Sequence, residues 1–256
     1  MKGVVLAGGS GSRLDPLTRV TNKHLLPVYD KPMIYYPLKT LQDMGLEEVM
    51  IVTGDKSAGE IMRLLGNGSE FGFKRLNYAF QEGGNLGIAN ALSLARGFVG
   101  NDLVCVILGD NILLGDLKVG AVGGAKVLLH RVKDPGRFGC PVFSYSDRDR
   151  EEEKFVDNFI NPKSMYKIVR IEEKPKEPKS SYAVIGVYFY DSFVFRIIDS
   201  LKPSERGEFE ITDVNNRYLQ EGKLEFDVFE GQWTDAGTFE SLYKASKMVR
   251  KRGKHE

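Results

Sequence analysis

The chain has few residues of the kinds that support disulfide, zinc or histidine chemistry. Its 256 residues include two cysteines, three histidines and one tryptophan. Cys105 and Cys140 have apolar or proline neighbours and no metal-ligand spacing, so we expect two buried thiols. His24, His130 and His255 are widely separated in the sequence. This scatter gives little support to a histidine metal site or to a histidine-based nucleophile relay.

A charge imbalance and a long apolar segment are also missing. The 36 lysines and arginines nearly match the 35 aspartates and glutamates, which gives a net charge of +1. No overall field would therefore draw the chain to nucleic acid or to an anionic membrane. No apolar run reaches transmembrane length, and the N-terminus shows no signal-peptide pattern. We expect a cytoplasmic protein without nucleic-acid or membrane partners, in which any anion-binding site is local.

Glycine, by contrast, is plentiful, and three of the 28 glycines lie within four positions near the N-terminus. Residues 5–13 read Val-Leu-Ala-Gly-Gly-Ser-Gly-Ser-Arg, and Lys23 follows ten residues later. A strand that ends in such a turn presents successive N–H groups without an obstructing Cβ, which suits phosphate. Arg13 and Lys23 add positive charge there. The pattern favours a polyphosphate site, although a tight strand-to-helix connection would use the same glycines.

Two common nucleotide motifs are not completed by this loop. A P-loop requires Lys-Ser or Lys-Thr directly after its last glycine, and neither is present. A dinucleotide-binding fingerprint requires glycine or alanine at position 14, where Leu14 stands. P-loop kinases are therefore set aside, and a Rossmann oxidoreductase is a distant alternative.

Apolar strand patterns alternate with helical patterns in the first half of the chain. Strands are predicted over 4–7, 48–53, 77–80 and 103–108, and helices over 33–44, 57–65 and 87–96. This alternation indicates an α/β fold with a mostly parallel sheet covered on both faces. Ligands bind outside the carboxyl ends of the strands in such sheets. The glycine loop and Asp110 both follow strands, so they can share one crevice.

The pattern changes after residue 115. Strands are predicted over 126–130, 140–145, 166–172 and 183–190, and helices return over 192–200, 210–220 and 238–252. The mixed-charge run 147–154 predicts a solvated hairpin tip or loop, and the basic residues 250–254 are typical of a helix end. The chain shows no internal repeat and no linker, so we expect a single domain.

Two aspartates add possible metal ligands. Asp110 follows Gly109 at the end of a predicted central strand, where it would serve as a helix cap or as a metal ligand. Asp235 precedes the last helix and could cap it, but Thr238 would cap it equally well and leave Asp235 free. Two carboxylates beside an anion loop, an arginine and a lysine fit Mg²⁺-assisted phosphoryl or nucleotidyl transfer, because Mg²⁺ takes one or two carboxylates plus phosphate oxygens.

These residues lie in motifs that resemble the sugar-1-phosphate nucleotidyltransferases. The resemblance runs in order through residues 6–14, 23–38, 64–69, 108–112, 134–139, 172–175, 182–191, 201–203, 207–213 and 233–238. It implies a Rossmann-like mixed sheet flanked by helices in a three-layer sandwich, Mg²⁺ as cofactor and a homo-oligomer. The implied reaction joins a nucleoside triphosphate to a sugar 1-phosphate and releases pyrophosphate. The closest match is the branch that makes dTDP-glucose from dTTP and glucose 1-phosphate.

The resemblance also implies roles for individual residues. Arg13 and Lys23 match a catalytic basic pair, and Asp110 and Asp235 match two magnesium ligands. The implied nucleotide-binding residues are Leu6, Gly8, Gly9, Gly11, Ser12, Gln81, Gly87 and Asp110. The implied sugar-phosphate-binding residues are Gly139, Glu173, Lys174 and Val184. Residues 1–115 would form the nucleotide-binding half and residues 116–256 the sugar-phosphate-binding half of one domain, 1–256.

Several departures from the family pattern leave alternatives open. The base-side loop 81–87 is one residue longer than usual, Phe138 replaces a frequent tyrosine and Ile185 replaces a frequent threonine. The stretch after Asp110 looks shortened and the region 147–162 expanded. A nucleotidyltransferase that uses UTP or another sugar phosphate is one alternative. A non-catalytic nucleotide-sugar sensor is another, although retention of both basic residues and both aspartates argues against it.

Overall fold

A computed structural model of the chain describes residues 1–54, 58–82, 86–147, 150–157 and 166–253. Within these ranges, helices flank a large mixed sheet. The strands are β1 Lys2–Ala7, β2 Pro27–Val28, β3 Lys31–Pro32, β4 Glu48–Gly54, β5 Arg75–Gln81, β6 Val104–Leu108, β7 Asn111–Leu114, β8 Ala125–Arg131, β9 Gly139–Asp147, β10 Arg150–Lys154, β11 Tyr166–Glu173, β12 Tyr182–Tyr190, β13 Leu224–Val228 and β14 Gln232–Asp235. The α-helices are α1 Tyr35–Asp43, α2 Ala58–Leu65, α3 Ile88–Ser93, α4 Arg96–Val99, α5 Val194–Ser200, α6 Ile211–Gln220 and α7 Phe239–Arg252.

The main sheet combines a parallel part with an antiparallel part. Strands β5, β4, β1 and β6 lie side by side in that order, and all of their pairings are parallel. Strand β12 pairs antiparallel with β6 on one side and with β8 on the other, and β13 pairs parallel with β8. Strand β9 meets β12 at Gly139 and Val184 and carries β10 and β11. The chain therefore forms the mostly parallel mixed sheet that the sequence predicts.

Alternate residues of β1 enter two separate apolar cores, one on each face of the sheet. Val4 and Leu6 pack in the core that contains buried residues of α3, α5 and α6. Val5 and Ala7 pack in the core that contains buried residues of α1 and α2. Side chains of a strand alternate between its faces, so a strand that is buried on both faces reads as a continuous apolar run. This arrangement confirms the three-layer architecture.

Most predicted elements are present, and the differences have local causes. The helix predicted over 87–96 is interrupted after Ser93, and Gly97 lies inside α4 rather than ending a helix. The amides of Leu94 and Ala95 donate to carbonyls three residues back, which tightens the turn between α3 and α4. The strands β7, β13 and β14 lie outside the predicted strands; they are short, and each pairs with a segment that is distant in the sequence.

The run 147–154 forms part of the antiparallel hairpin of β9 and β10, and residues 148–149 lie outside the described residues. Residues 55–57, 83–85, 158–165 and 254–256 also lie outside them.

Thr238 caps α7, since its hydroxyl accepts from the amide of Ser241 and its own amide donates to the Ser241 hydroxyl. Across the described ranges, every helix is too short or too polar to cross a membrane.

We expect Ile51→Ala to lower the free energy of unfolding by about 2–5 kcal/mol, because Ile51 is fully buried in the core beneath α1 and α2. Val20→Ala is the control, since Val20 is 83% exposed and its loss should change stability by less than about 0.5 kcal/mol. Urea unfolding followed by circular dichroism measures both values. Equal destabilisation by the two changes would contradict this assignment of the core.

Candidate active site

One cleft of about 490 Å³ lies at the carboxyl ends of β1 and β6. All of the residues that the sequence predicts for nucleotide, sugar-phosphate and metal positions line it: Leu6, Gly8, Gly9, Gly11, Ser12, Arg13, Lys23, Gln81, Gly87, Asp110, Gly139, Glu173, Lys174, Val184 and Asp235. Parallel pairing places Leu6 opposite Leu108, so the segments that follow the two strands emerge at the same edge. The structure thus brings the predicted set together, from positions far apart in the chain.

The glycine loop packs closely against its surroundings. Gly11 has a left-handed backbone (φ 68°), and a Cβ there would lie 2.7 Å from the Cγ2 atom of Thr18. A Cβ on Gly9 would lie 3.2 Å from the Cε atom of Lys23. The turn that follows, Ser12–Leu14, is anchored by the buried side chain of Leu14. Glycine is required at position 11 both by backbone conformation and by space.

Lys23 and Asp110 form an ion pair at the base of the cleft. The distance from Lys23 Nζ to Asp110 Oδ2 is 2.5 Å, and the two side chains are 12% and 14% exposed. Burial by itself opposes ionisation of Asp110, but the adjacent Lys23 ammonium outweighs it and lowers the pKa of the carboxyl group. Asp110 is therefore a carboxylate at neutral pH and is available to a cation.

Asn111 orients Asp110. Its amide nitrogen donates to Asp110 Oδ1 at 3.1 Å, and its Oδ1 accepts from the indole N–H of Trp233 at 2.7 Å. The backbone N–H of Gly186 donates to the same Oδ1 at 3.1 Å. These contacts depend on β7 and β14, which pair Asn111 with Asp235. The two strands therefore hold both candidate metal ligands at neighbouring positions.

Asp235 is also held by several donors. Arg137 Nη2 lies 3.1 Å and 3.3 Å from its two carboxylate oxygens. The amide of Gly237 and the hydroxyl of Ser241 each donate to Oδ2 at 3.3 Å. Since Thr238 caps the last helix, Asp235 is not needed as its cap and points into the cleft instead.

The two carboxylates and Arg13 face one space next to Gly237. The point that a Cβ on Gly237 would occupy lies 3.4 Å from Asp110 Oδ2, 3.4 Å from Asp235 Oδ2 and 3.3 Å from Arg13 Nη2. Carboxylate oxygens are the protein ligands that Mg²⁺ prefers, and Mg²⁺ commonly takes its other ligands from water and phosphate. Within the described ranges, no cluster contains three or more His, Cys, Asp or Glu residues in metal-binding positions. A cation here would thus rely on these two carboxylates and on the oxygens of its substrate.

The opposite wall of the cleft carries a network around Glu173. Its Oε2 accepts from the hydroxyl of Thr212 at 2.6 Å, and its Oε1 lies 3.3 Å from Lys174 Nζ and 3.4 Å from Arg206 Nη2. Lys174 has a left-handed backbone (φ 45°), and its amide donates to the carbonyl of Phe138 at 3.0 Å. Arg206 Nη2 also pairs with Glu210 at 2.8 Å and with Glu208 at 3.6 Å, so this wall carries two cations and three carboxylates at the carboxyl end of β11.

Gln81 and Gly87 form the third wall. Gln81 is buried, and its amide nitrogen donates to Asn90 Oδ1 at 2.9 Å, so the orientation of its side chain is set. Gly87 has φ 96°, and a Cβ there would lie 2.5 Å from the carbonyl oxygen of Phe209. Residues 83–85 of the longer loop lie outside the described residues, and the effect of that insertion stays a prediction.

Sequence reasoning missed several residues that line the cleft. Among them are Asn111, Arg137, Arg206, Thr212 and Trp233. Four of them lie in segments that carry the family resemblance, and Arg206 lies just outside one. The pairs Arg137–Asp235 and Trp233–Asn111 join residues that are distant in the sequence, so no local pattern reveals them. Of the two noted substitutions, Phe138 packs edge-on against Trp233 with ring centroids 5.2 Å apart. Ile185 is fully buried in a core and does not line the cleft.

His24 lies beneath the cleft and is buried. Its Nδ1 is 2.6 Å from Asn22 Oδ1, which also accepts from the His24 backbone amide at 2.8 Å. Burial, reinforced by the charge of Lys23, lowers the pKa of His24 from 6.5 to about 3. The imidazole is therefore neutral at physiological pH and acts as packing beneath the Lys23–Asp110 pair.

Comparisons with known proteins agree with this geometry. The nucleotidyl transferase family model matches residues 2–252. A glucose-1-phosphate thymidylyltransferase of Neisseria meningitidis is 44% identical over 258 residues, which cover 97% of this chain and 82% of that protein. A protein of the same name from Mycolicibacterium smegmatis is 43% identical, with 98% and 82% covered.

Solved structures share the fold along nearly the whole chain. A Bacillus anthracis structure described as a glucose-1-phosphate thymidylyltransferase in complex with a sucrose has a TM-score of 0.83 and 48% identity, and covers 98% of this chain and 95% of that one. A UDP-glucose pyrophosphorylase complexed with UDP-glucose has a TM-score of 0.76 at 23% identity, with 98% of each chain covered, which shows a common fold.

The buried state of His24 predicts how stability depends on pH. Between pH 6.5 and about 3 the unfolded chain binds a proton that the folded His24 does not, so the free energy of unfolding falls as pH falls. The slope from this group approaches about 1.4 kcal/mol per pH unit. Urea unfolding at several pH values should show a flatter dependence for His24→Gln. His130→Gln is the matched control and should flatten it less, since the pKa of that ring is also lowered but the ring is only partly buried. An unchanged slope in His24→Gln would contradict the prediction.

Proposed function

The chain belongs to the nucleotidyl transferase family, and from that membership we propose that it joins dTTP to glucose 1-phosphate, giving dTDP-glucose and pyrophosphate. The observation that carries the proposal is the convergence of Asp110, Asp235 and Arg13 on one space beside the glycine loop. The choice of dTTP and glucose 1-phosphate is supported by two relatives named glucose-1-phosphate thymidylyltransferase, which are 43–44% identical to this chain.

The proposed chemistry is an attack by a phosphate oxygen of the sugar 1-phosphate on the α-phosphorus of the triphosphate. A new O–P bond forms and the bond to the departing pyrophosphate breaks. The nucleophile is already an anion, so no general base is needed, which agrees with a cleft whose single histidine is buried and neutral. The main obstacle is repulsion between anions, roughly 4 kcal/mol for two unit charges about 4 Å apart at an effective dielectric constant of about 20.

The cations of the cleft are suited to offset that repulsion. The N–H groups of the loop around Gly8, Gly9 and Gly11 would hold the triphosphate, with Leu6 and Ser12 beside it. Arg13 would bind the departing pyrophosphate through its planar fork. Lys23 would exchange its pairing with Asp110 for a phosphate oxygen. Catalysis on this scheme consists mostly of positioning and electrostatic stabilisation.

Mg²⁺ is proposed as the cofactor, held by Asp110 and Asp235. When bound there, it would supply Lewis-acid neutralisation of charge on the α-phosphate. The support is the donor set: two orientated carboxylates that face one space, with a guanidinium beside them. The contacts of Asn111 and Ser241 keep the two carboxylates aimed at that space before any cation arrives.

The sugar phosphate is proposed to bind at the wall formed by Gly139, Glu173, Lys174 and Val184. Lys174 Nζ would hold the phosphate group, and Glu173 would accept hydrogen bonds from sugar hydroxyls. Space at Gly139 is limited, because a Cβ there would lie 3.4 Å from the Thr212 hydroxyl. On the opposite side, Gln81 and Gly87 would contact the base.

Three broader proposals follow from the family resemblance. Residues 1–115 would bind the nucleotide and residues 116–256 the sugar phosphate, within one domain. The protein would work as a homo-oligomer, which sedimentation analysis can test. It would act in the cytoplasm, where both proposed substrates are metabolic intermediates.

A substrate panel tests the reaction. We expect pyrophosphate release to be fastest with dTTP and glucose 1-phosphate, and slower with UTP or with other sugar 1-phosphates. A coupled pyrophosphate assay with Mg²⁺ measures each pair, and mass spectrometry identifies the product. Preference for UTP would favour the alternative of a UTP-using nucleotidyltransferase, which the longer base-side loop leaves open. No turnover with any pair would refute the proposal that the protein is an enzyme.

Removal of either proposed metal ligand should abolish most activity. Asp110→Asn and Asp235→Asn are each expected to lower kcat at least about a hundredfold, because the charge that would hold Mg²⁺ at the reacting phosphate is lost. Asp157→Asn is the control, since Asp157 pairs with Arg131 on the surface, outside the cleft. Near-normal turnover in either variant would refute the metal assignment.

A further inference from the structure

We propose that Arg137 is a displaceable counterion, which occupies Asp235 in the metal-free protein and must leave before a divalent cation binds there. The inference rests on the proposed function, since it assumes that Asp235 is a metal ligand. It adds a role for a residue that the sequence motifs did not assign.

The geometry shows direct competition for the carboxylate. A single nitrogen of Arg137, Nη2, lies within 3.3 Å of both oxygens of Asp235. One of those oxygens, Oδ2, faces the space shared with Asp110. A divalent cation and the guanidinium would therefore compete for the same oxygen, and their positive charges would repel each other at that distance.

The two carboxylates of the site are held by partners of different accessibility. Lys23, which pairs with Asp110, is 12% exposed, whereas the side chain of Arg137 is 39% exposed. Ion pairs with such a solvent-exposed partner contribute little, about 1 kcal/mol or less. Arg137 is thus the partner that leaves more easily, and Asp235 is the carboxylate that becomes free first.

Other interactions are available to the Arg137 guanidinium when it leaves Asp235. It lies on the short turn Pro135–Arg137 at the rim of the cleft, and its guanidinium is 5.1 Å from the centre of the Phe138 ring. It lines the cleft, so phosphate groups of a bound substrate can pair with it through charge-assisted hydrogen bonds. A polyanionic substrate would draw Arg137 away from Asp235, so the metal site would form as the substrate enters.

Mn²⁺ binding without substrate provides the test. Free Mn²⁺ is measured by electron paramagnetic resonance during titration of the protein. Arg137→Gln should bind Mn²⁺ about fivefold more tightly than the wild type, a change of about 1 kcal/mol, because the competing charge is gone. Arg137→Lys keeps the charge and should stay close to the wild type. Arg131→Gln, which removes an exposed arginine from its pair with Asp157, should have no effect.

Fluorescence gives an independent readout. Trp233 is the only tryptophan of the chain and lies two residues before Asp235, with its ring against Phe138. The same titration should therefore give a fluorescence change with the same dissociation constant. Mn²⁺ binding by Arg137→Gln that is equal to or weaker than that of the wild type, including no binding by either protein, would overturn the counterion role alone. Wild-type binding that persists unchanged in Asp235→Asn would overturn the metal assignment as well.

Discussion

The parallel pairing of β1 with β6 is the constraint on which the rest of the site depends. It brings the glycine loop, which follows β1, and Asp110, which follows β6, to the same edge of the sheet. The amide of Gly109 donates to the carbonyl of Leu6 at 2.9 Å and extends that pairing past the end of β6. A shift of one residue would turn every side chain of β1 to the opposite core, so burial on both faces determines this register.

Around that edge, charge balance organises the site. The carboxylates Asp110 and Asp235 are paired with the basic side chains of Lys23 and Arg137, respectively, and the guanidinium of Arg13 faces the space that the two carboxylates share. Burial of Asp110 would otherwise favour its protonated acid, and the adjacent Lys23 ammonium lowers the pKa of this carboxyl group and keeps it ionised. The same cations are the groups that anionic substrates would recruit. One set of charges thus stabilises the empty cleft and can serve the substrate.

Much of this arrangement could be predicted from the sequence, and the exceptions share a cause. The glycine loop, Asp110 and the capping role of Thr238 each have a local signature, namely a turn composition, a strand end and a helix start. The pairs Arg137–Asp235 and Trp233–Asn111 have none, because their members lie 98 and 122 residues apart. The break between α3 and α4 was also missed, since the apolar spacing there is compatible with one continuous helix.

The sequence by itself therefore determined the class of the fold, the family and a large share of the residues that line the cleft. These follow from periodicity, turn chemistry and ordered motifs, all of which are properties of neighbouring residues. Only the tertiary structure decided which cation neutralises which carboxylate, and that Asn111 is held by Trp233 and Gly186 so as to orient Asp110. Such pairings depend on distances of about 3 Å between groups from separate strands and turns, and the packing of the whole sheet determines those distances.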